Sequence, residues 1–102
     1  MYLTQVAEAI REEVPASALP DGDTSRLFLG YAVLLLAKGE QVTRADVHDA
    51  WVAWMAGDDA DHRALVPFED LDTPTQAEDS PYVIAIRTVA RQMLARNELR
   101  KA

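Results

Sequence analysis

The amino-acid sequence predicts an all-α fold: a single compact domain of four to five helices packed around one central apolar helix, residues 24–38. Apolar residues recur at the helical period in several segments, and no strand candidate exceeds three or four residues. The 102 residues are 49% apolar and 26% charged, which suits one globular domain and argues against intrinsic disorder.

The first two helices are predicted from their apolar spacing and their end signals. The first covers Thr4–Val14, with its threonine as the N-cap and Pro15 as its stop. The central helix over residues 24–38 is apolar on nearly all sides, so it needs neighbours all round, and Gly39 suits its end. Gly30 inside this helix costs about 1 kcal/mol relative to alanine, which favours the close approach of another backbone there.

The third helix is predicted to begin at Thr43, because Asp46 stands three residues later as in a capping box. Val47 and Trp51 belong to its apolar stripe, and it ends at Gly57. An acidic loop is expected to follow this glycine.

A turn is predicted after this loop, since Pro67 disfavours helical geometry at the residue before it. We expect Leu65 and Phe68 to be buried against Trp51 and the last helix. Thr73 is predicted to cap the next helical start, with the glutamine three residues later closing a capping box. A long last helix then completes a domain of residues 1–102, frayed after about residue 97.

Composition and charge limit the classes of partner. The chain has no cysteine, so a disulfide framework, a thiolate metal site and a cysteine nucleophile are excluded. Its 17 acidic and 10 basic residues give a net charge of −7, which disfavours DNA, RNA and anionic membranes. The longest apolar run has eleven residues, and a membrane span needs about 20. No signal-peptide pattern is present, so we expect a cytoplasmic protein. Frequent alanine and the excess of arginine over lysine are typical of actinobacteria and their phages.

No enzyme or metal motif is found in the sequence. The nucleophile elbow, the Walker loop, the zinc HExxH pattern and the dinucleotide fingerprint are all missing. The acidic run Asp58–His62 lacks the glycine and glutamate spacing of a calcium loop and a second histidine for zinc. We therefore expect no catalysis, no metal and no cofactor.

Tryptophan and arginine residues are the remaining candidates for binding. Trp51 and Trp54 are three residues apart, so both can face the core, or one of them can line a pocket or a partner groove. Residues 82–102 hold five bases and one acid. These bases either complement the dipole of the last helix, or Arg87 and Arg91 form an anion site.

Three ordered patterns resemble the RyR domain, the helical repeat first described in ryanodine receptors and also found as small bacterial and phage proteins. They are Asp23-Thr24-Ser25, His48-x-x-Trp51 and His62-x-x-Leu65-Val66-Pro67-Phe68-x-x-Leu71, followed by Asp79 and a last helix. The resemblance implies a non-enzymatic module that binds a nucleotide or nucleotide-derived ligand in a signalling or defence setting. It also implies roles for particular residues: stacking for Trp51 or Trp54, hydrogen bonds for His48 or His62, and charge for Arg87.

A second function is consistent with the composition. An acidic helical protein without an active site can cover the basic surface of a partner protein, and the segment Asp58–Asp72 would be its contact face. The oligomeric state is left open between a monomer and a homodimer.

Overall fold

The computed structural model describes residues 1–99 and confirms the all-α prediction. Its helices are α1 (Tyr2–Glu13), α2 (Ser25–Lys38), α3 (Arg44–Ala56), α4 (Thr73–Ala77) and α5 (Ser80–Ala95). Single 3-10 turns lie at Ala16–Ala18, Gly39–Gln41 and Phe68–Asp70, and residues 1–99 contain no strand. Within this part of the chain, no helix is both long enough and apolar enough to cross a bilayer.

Helix α2 is central, as predicted, and packs against α1, α3 and α5. It ends at Gly39, whose positive φ of 56° suits glycine. The expected close approach of a backbone at Gly30 is wrong, because a Cβ there would lie 3.9 Å from the Cβ of Ala50, an ordinary contact. The buried side chains of this helix are Leu27, Phe28, Tyr31, Ala32 and Leu35.

The hydrophobic core is built from two separate parts of the chain. All of its buried side chains come from residues 6–48 or residues 82–93. None of residues 49–81 is buried, although this stretch contains most of α3 and all of α4. We call residues 49–81 the outer layer, and it lies against a core made by α1, α2, the start of α3 and α5.

The capping box at the start of α3 is confirmed. The Thr43 hydroxyl accepts from the Asp46 amide at 3.2 Å, and the Asp46 carboxylate accepts from the Thr43 amide at 2.9 Å. Lys38 donates to the same carboxylate at 2.9 Å. Burial raises the pKa of Asp46, but these hydrogen bonds outweigh burial and hold the pKa below its ordinary value. The box therefore joins the end of α2 to the start of α3.

Two other predicted caps are corrected. Helix α1 begins at Tyr2, so Thr4 lies inside it and does not cap it. Helix α4 begins at Thr73, one residue early, because the Asp72 carboxylate accepts from the Thr75 amide at 2.8 Å and takes the cap position. The side chain of Gln76 does not close a box and donates instead to a backbone carbonyl of the preceding turn.

Phe68 does not occupy the core position expected for it. Its half-buried ring lies 6.1 Å from the His48 ring and 5.6 Å from the Arg44 guanidinium carbon. It therefore packs on the outside of α3, as does the turn that carries it. Leu65 is also only half-buried. The predicted position fails because α1 and α2 already cover the inner side of α5.

The chain turns back at the end of α5. Asn97 has a φ of 58°, and the Glu98 amide donates to the Met93 carbonyl at 2.7 Å. Leu99 packs against the core, with its side chain 3.6 Å from the Cβ position of Gly39. The predicted fraying after about residue 97 falls mainly on residues 100–102, which lie outside the described part.

Candidate functional site

An open cleft of about 890 Å³ lies where the outer layer meets the core. Its walls come from α3, the loop that follows α3, the junction of α4 and α5, and the connector between α1 and α2. Aromatic and ionisable side chains dominate the lining: Tyr31, His48, Trp51, His62, Arg63, Asp70, Asp72, Glu78, Asp79 and Tyr82. The cleft therefore combines an apolar aromatic wall with a concentration of carboxylates.

Trp51 and the two histidines form the aromatic wall. The Trp51 and His48 rings are nearly parallel, with centroids 5.8 Å apart and planes 23° apart. The His62 ring meets Trp51 nearly at a right angle, with centroids 5.2 Å apart. Trp51 is half-buried between the two imidazoles and faces the cleft at its edge. Ring contacts with both histidines fix the position of this tryptophan.

His48 fastens the loop to α3. Its ring is 3% exposed, and Nε2 lies 2.6 Å from the carbonyl oxygen of Val66. A carbonyl can only accept, so Nε2 carries the hydrogen and Nδ1 is the acceptor in the neutral ring. His48 and Trp51 are three residues apart on α3, close to one helical turn, so the imidazole lies over the same face as Trp51.

His62 has one nitrogen engaged by its own loop. The Ala64 amide donates to Nδ1 at 3.1 Å, so the neutral ring carries its hydrogen on Nε2. This hydrogen bond tightens the turn that positions the ring against Trp51. His62 therefore both tethers the loop and lines the cleft.

Asp79 lies half-buried at the junction of α4 and α5, and its carboxylate makes no hydrogen bond or ion pair within residues 1–99. Burial is the main reason why the pKa of Asp79 rises from 3.8 to about 6. The Glu78 carboxylate raises this pKa as well, whereas His48 and Arg44 lower it. Asp79 is thus a carboxylate on the cleft wall that has no hydrogen-bond or ion-pair partner among the first 99 residues.

Two tyrosines lie beside this carboxylate. Tyr31 is only 1% exposed and lines the cleft, yet its hydroxyl has no hydrogen-bond partner among residues 1–99. Burial raises the pKa of Tyr31, and the nearby Tyr82 and Asp79 raise it further. The Tyr82 hydroxyl donates to the Ala18 carbonyl, which ties α5 to the connector. Tyr31 is therefore a buried, neutral side chain whose hydroxyl makes no hydrogen bond within residues 1–99.

The net charge of the lining is negative. Among residues 1–99, four carboxylates face the cleft, from Asp70, Asp72, Glu78 and Asp79, and Arg63 is the only arginine or lysine in the lining. Asp72 already accepts the cap hydrogen bonds of α4, which lower its pKa. Groups of three or more side chains arranged to hold a metal ion are not found in residues 1–99.

The cleft contains three of the five residues that the sequence singled out. His48, Trp51 and His62 come together in one wall. Trp54 is half-buried against the core and does not line the cleft. Arg87 also lies outside the lining, since its Nε donates to the Val42 carbonyl at 2.9 Å and links α5 to the turn before α3.

Sequence reasoning missed Asp79 and the two tyrosines as site residues. The available signal was the position of Asp79 directly before the Ser80-Pro81 helix start and three residues before Tyr82. That spacing places a carboxylate and a phenol at one end of α5. It does not reveal that the end is half-buried.

These features describe a small all-α domain with an acidic, aromatic cleft. A family model matches residues 1–91, and the chain belongs to that family, whose description is Domain of unknown function (DUF7701). The resemblance to the RyR domain is wrong, because the family found over these residues is a different one. Comparison with curated proteins and with solved structures finds no match.

The residues behind the mistaken resemblance have a packing role in this fold. His48 holds the carbonyl of Val66, and the proline that follows directs Phe68 onto the outside of α3. The spacing of histidine, proline and aromatic residues therefore reflects how this loop packs against α3. It does not identify the family of the chain.

Proposed function

We propose that this protein is a non-enzymatic binding module that takes a small ligand in the cleft beside Trp51. The observation that carries the proposal is Tyr31, a buried side chain that lines the cleft and whose hydroxyl makes no hydrogen bond within residues 1–99. A hydroxyl at the wall of an open cleft is available to a ligand, which supplies a hydrogen bond when it displaces water. An aromatic wall with a few polar groups is also the usual composition of a ligand pocket.

The hydrogen bonds made by the two histidines favour binding over catalysis. Each imidazole uses one nitrogen to hold the backbone of the same loop, Nε2 of His48 at Val66 and Nδ1 of His62 at Ala64. These bonds keep the wall in place and supply a rigid, largely preformed surface. A preformed surface of this kind favours ligand binding, because little ordering is needed when the ligand binds.

A phosphate-bearing nucleotide is disfavoured as the ligand. Four carboxylates in the lining repel a phosphate, and Arg63 alone does not offset them. Arg87, which was expected to hold the phosphate, donates elsewhere to Val42. The module we propose therefore recognises a ligand that carries no phosphate.

Trp51 fluorescence provides a direct test. The chain has two tryptophans, so Trp54→Phe leaves Trp51 as the single reporter at the cleft. In a panel of organic cations, neutral heterocycles and nucleotides, we expect a saturable change in its emission with at least one compound of the first two classes and none with the nucleotides. Ala64→Phe, which fills the cleft wall, is expected to abolish that change. No response from any of the three chemical classes at millimolar concentration would contradict the proposal.

An acidic protein-interaction module is the second candidate. It is favoured by the loop after α3, where Asp58, Asp59 and Asp61 are all exposed. We expect the wild-type protein to bind a partner protein that has a basic surface, as measured by pull-down with the purified partner. This binding should be lost when the three residues are changed to asparagine. Capture that survives the triple change excludes this face.

A further inference from the structure

Resting on the proposed cleft site, we infer that the group recognised there is an organic cation, an ammonium or guanidinium held between the Asp79 carboxylate and the Tyr31 hydroxyl. The rest of the ligand would lie along the aromatic wall. Three separate observations on the structure lead to this chemistry.

The first observation is the carboxylate without a partner. Asp79 is half-buried, yet no side chain or backbone amide of residues 1–99 donates to it. The cationic group of Arg44 is near enough to act on Asp79 electrostatically, but no salt bridge joins the two. A half-buried carboxylate gains most from a donor that is itself charged, because such hydrogen bonds are about twice as strong as neutral ones.

The second observation is independent of charge. Tyr31 is 1% exposed and its hydroxyl, which lines the same cleft, has no partner in residues 1–99. A phenol oxygen can accept a hydrogen bond from an N–H group. Ammonium and guanidinium groups carry three and five such N–H donors, enough to serve the carboxylate and the phenol together.

The third observation is the negative charge of the cleft lining. Asp70, Asp72 and Glu78 add negative charge to the lining, against Arg63. These groups raise the local concentration of cations and repel anions. Trp51 and Tyr82 offer apolar surface for the hydrocarbon part of the ligand. Both a free alkyl amine or guanidine and the side chain of a lysine or arginine on a partner protein have this chemistry.

Calorimetry on the full chain with four probes tests the inference. The probes are agmatine, a capped tripeptide with a central arginine, the neutral amide of the same length as agmatine, and adenosine monophosphate. We expect agmatine, the arginine peptide or both to bind with one site per chain, and the neutral and anionic probes to bind at least tenfold more weakly. Agmatine binding identifies a free small cation as sufficient, whereas binding by the peptide alone identifies a protein side chain.

Two conservative variants locate the contact. Asp79→Asn and Tyr31→Phe each remove a group that makes no hydrogen bond within residues 1–99, so neither is expected to prevent folding. We expect Asp79→Asn to weaken binding of the cation at least tenfold and Tyr31→Phe to weaken it severalfold. Glu69→Gln, at an exposed carboxylate outside the cleft lining, is the matched control and is expected to change affinity less than threefold.

The possible failures are distinguishable. Binding of the neutral or anionic probe in place of both cations would overturn the inference about charge and leave the binding module standing. Cation binding that Asp79→Asn does not weaken would overturn the assigned contact. If none of the four probes binds, and no compound of the fluorescence panel changes Trp51 emission, the proposed cleft site itself is wrong.

Discussion

Changing Asp79 to asparagine is expected to stabilise the fold at neutral pH. The pKa of this carboxyl is about 6 in the folded protein, against an ordinary value of 3.8. Between these values the folded state holds the proton more tightly than the unfolded state does. Wild-type stability attributable to Asp79 therefore falls as the pH rises from about 4 to about 6. Asparagine has nearly the same shape and no proton to lose, so it avoids this fall.

The magnitude follows from the pKa and the burial of the side chain. A rise from 3.8 to about 6 corresponds to about 3 kcal/mol, at about 1.36 kcal/mol for each tenfold change in proton affinity. Asp79 is only half-buried, so solvent screening reduces this to about 1–2 kcal/mol. In a domain of this size the variant is expected to melt on the order of 5–10 °C higher at pH 7.

Urea denaturation followed by circular dichroism at pH 4, 5, 6 and 7 measures the effect. The difference in unfolding free energy between Asp79→Asn and wild type is expected to be near zero at pH 4 and to widen by pH 7. Asp70→Asn, at an exposed carboxylate of the same cleft, is the control for charge in general. A difference that stays constant from pH 4 to pH 7, or a variant less stable than wild type at pH 7, would refute the reasoning.

Substitutions at four further positions test the fold by chemical denaturation. Gly30→Ala is expected to add up to about 1 kcal/mol, because the new methyl group meets only the Ala50 side chain at 3.9 Å; destabilisation would show that the two helices lie closer. Thr43→Ala removes the hydroxyl of the capping box and is expected to cost about 1 kcal/mol, with Thr43→Ser restoring most of it. Phe28→Ala, in the core at 2% exposure, is expected to cost about 3–5 kcal/mol, against about 1–2 kcal/mol for the half-buried Phe68→Ala. Equal costs for the two phenylalanines would contradict the placement of the turn.

The fold was predictable where short-range interactions decide it. The spacing of apolar residues identified α2 as the centre of the domain, and Thr43 with Asp46 identified the start of α3. Both signals act within a few residues along the chain. The start of α4 was less accurate, because Asp72 and Thr73 are adjacent and each can serve as a cap. Only the geometry of the preceding turn decides which of these two residues caps the helix.

The candidate site was predictable only in part, because the sequence does not show which face of each helix packs against the rest of the domain. Trp51 and Trp54 lie about 60° apart around α3, so their spacing does not reveal that one faces the cleft and the other the core. Arg87 has the same ambiguity on α5, where its actual partner is a carbonyl 45 residues away in sequence. Asp79 resembles any surface carboxylate until α5 is packed against α2.

The division between the core and the outer layer has a consequence for local unfolding. Residues 49–81 contain no buried side chain, and the loop within them is fastened mainly by His48 at Val66 and by Gln76 at Phe68. Opening residues 62–76 exposes only side chains that are at most half-buried, so the free energy of this opening lies well below that of global unfolding. Amide hydrogens of residues 62–76 are expected to exchange through such partial openings, while those of α2 and α5 exchange only when the whole domain unfolds. The stability of the domain thus rests on the core, whereas the cleft wall that carries Trp51 and His62 belongs to the outer layer and can open while the core stays folded.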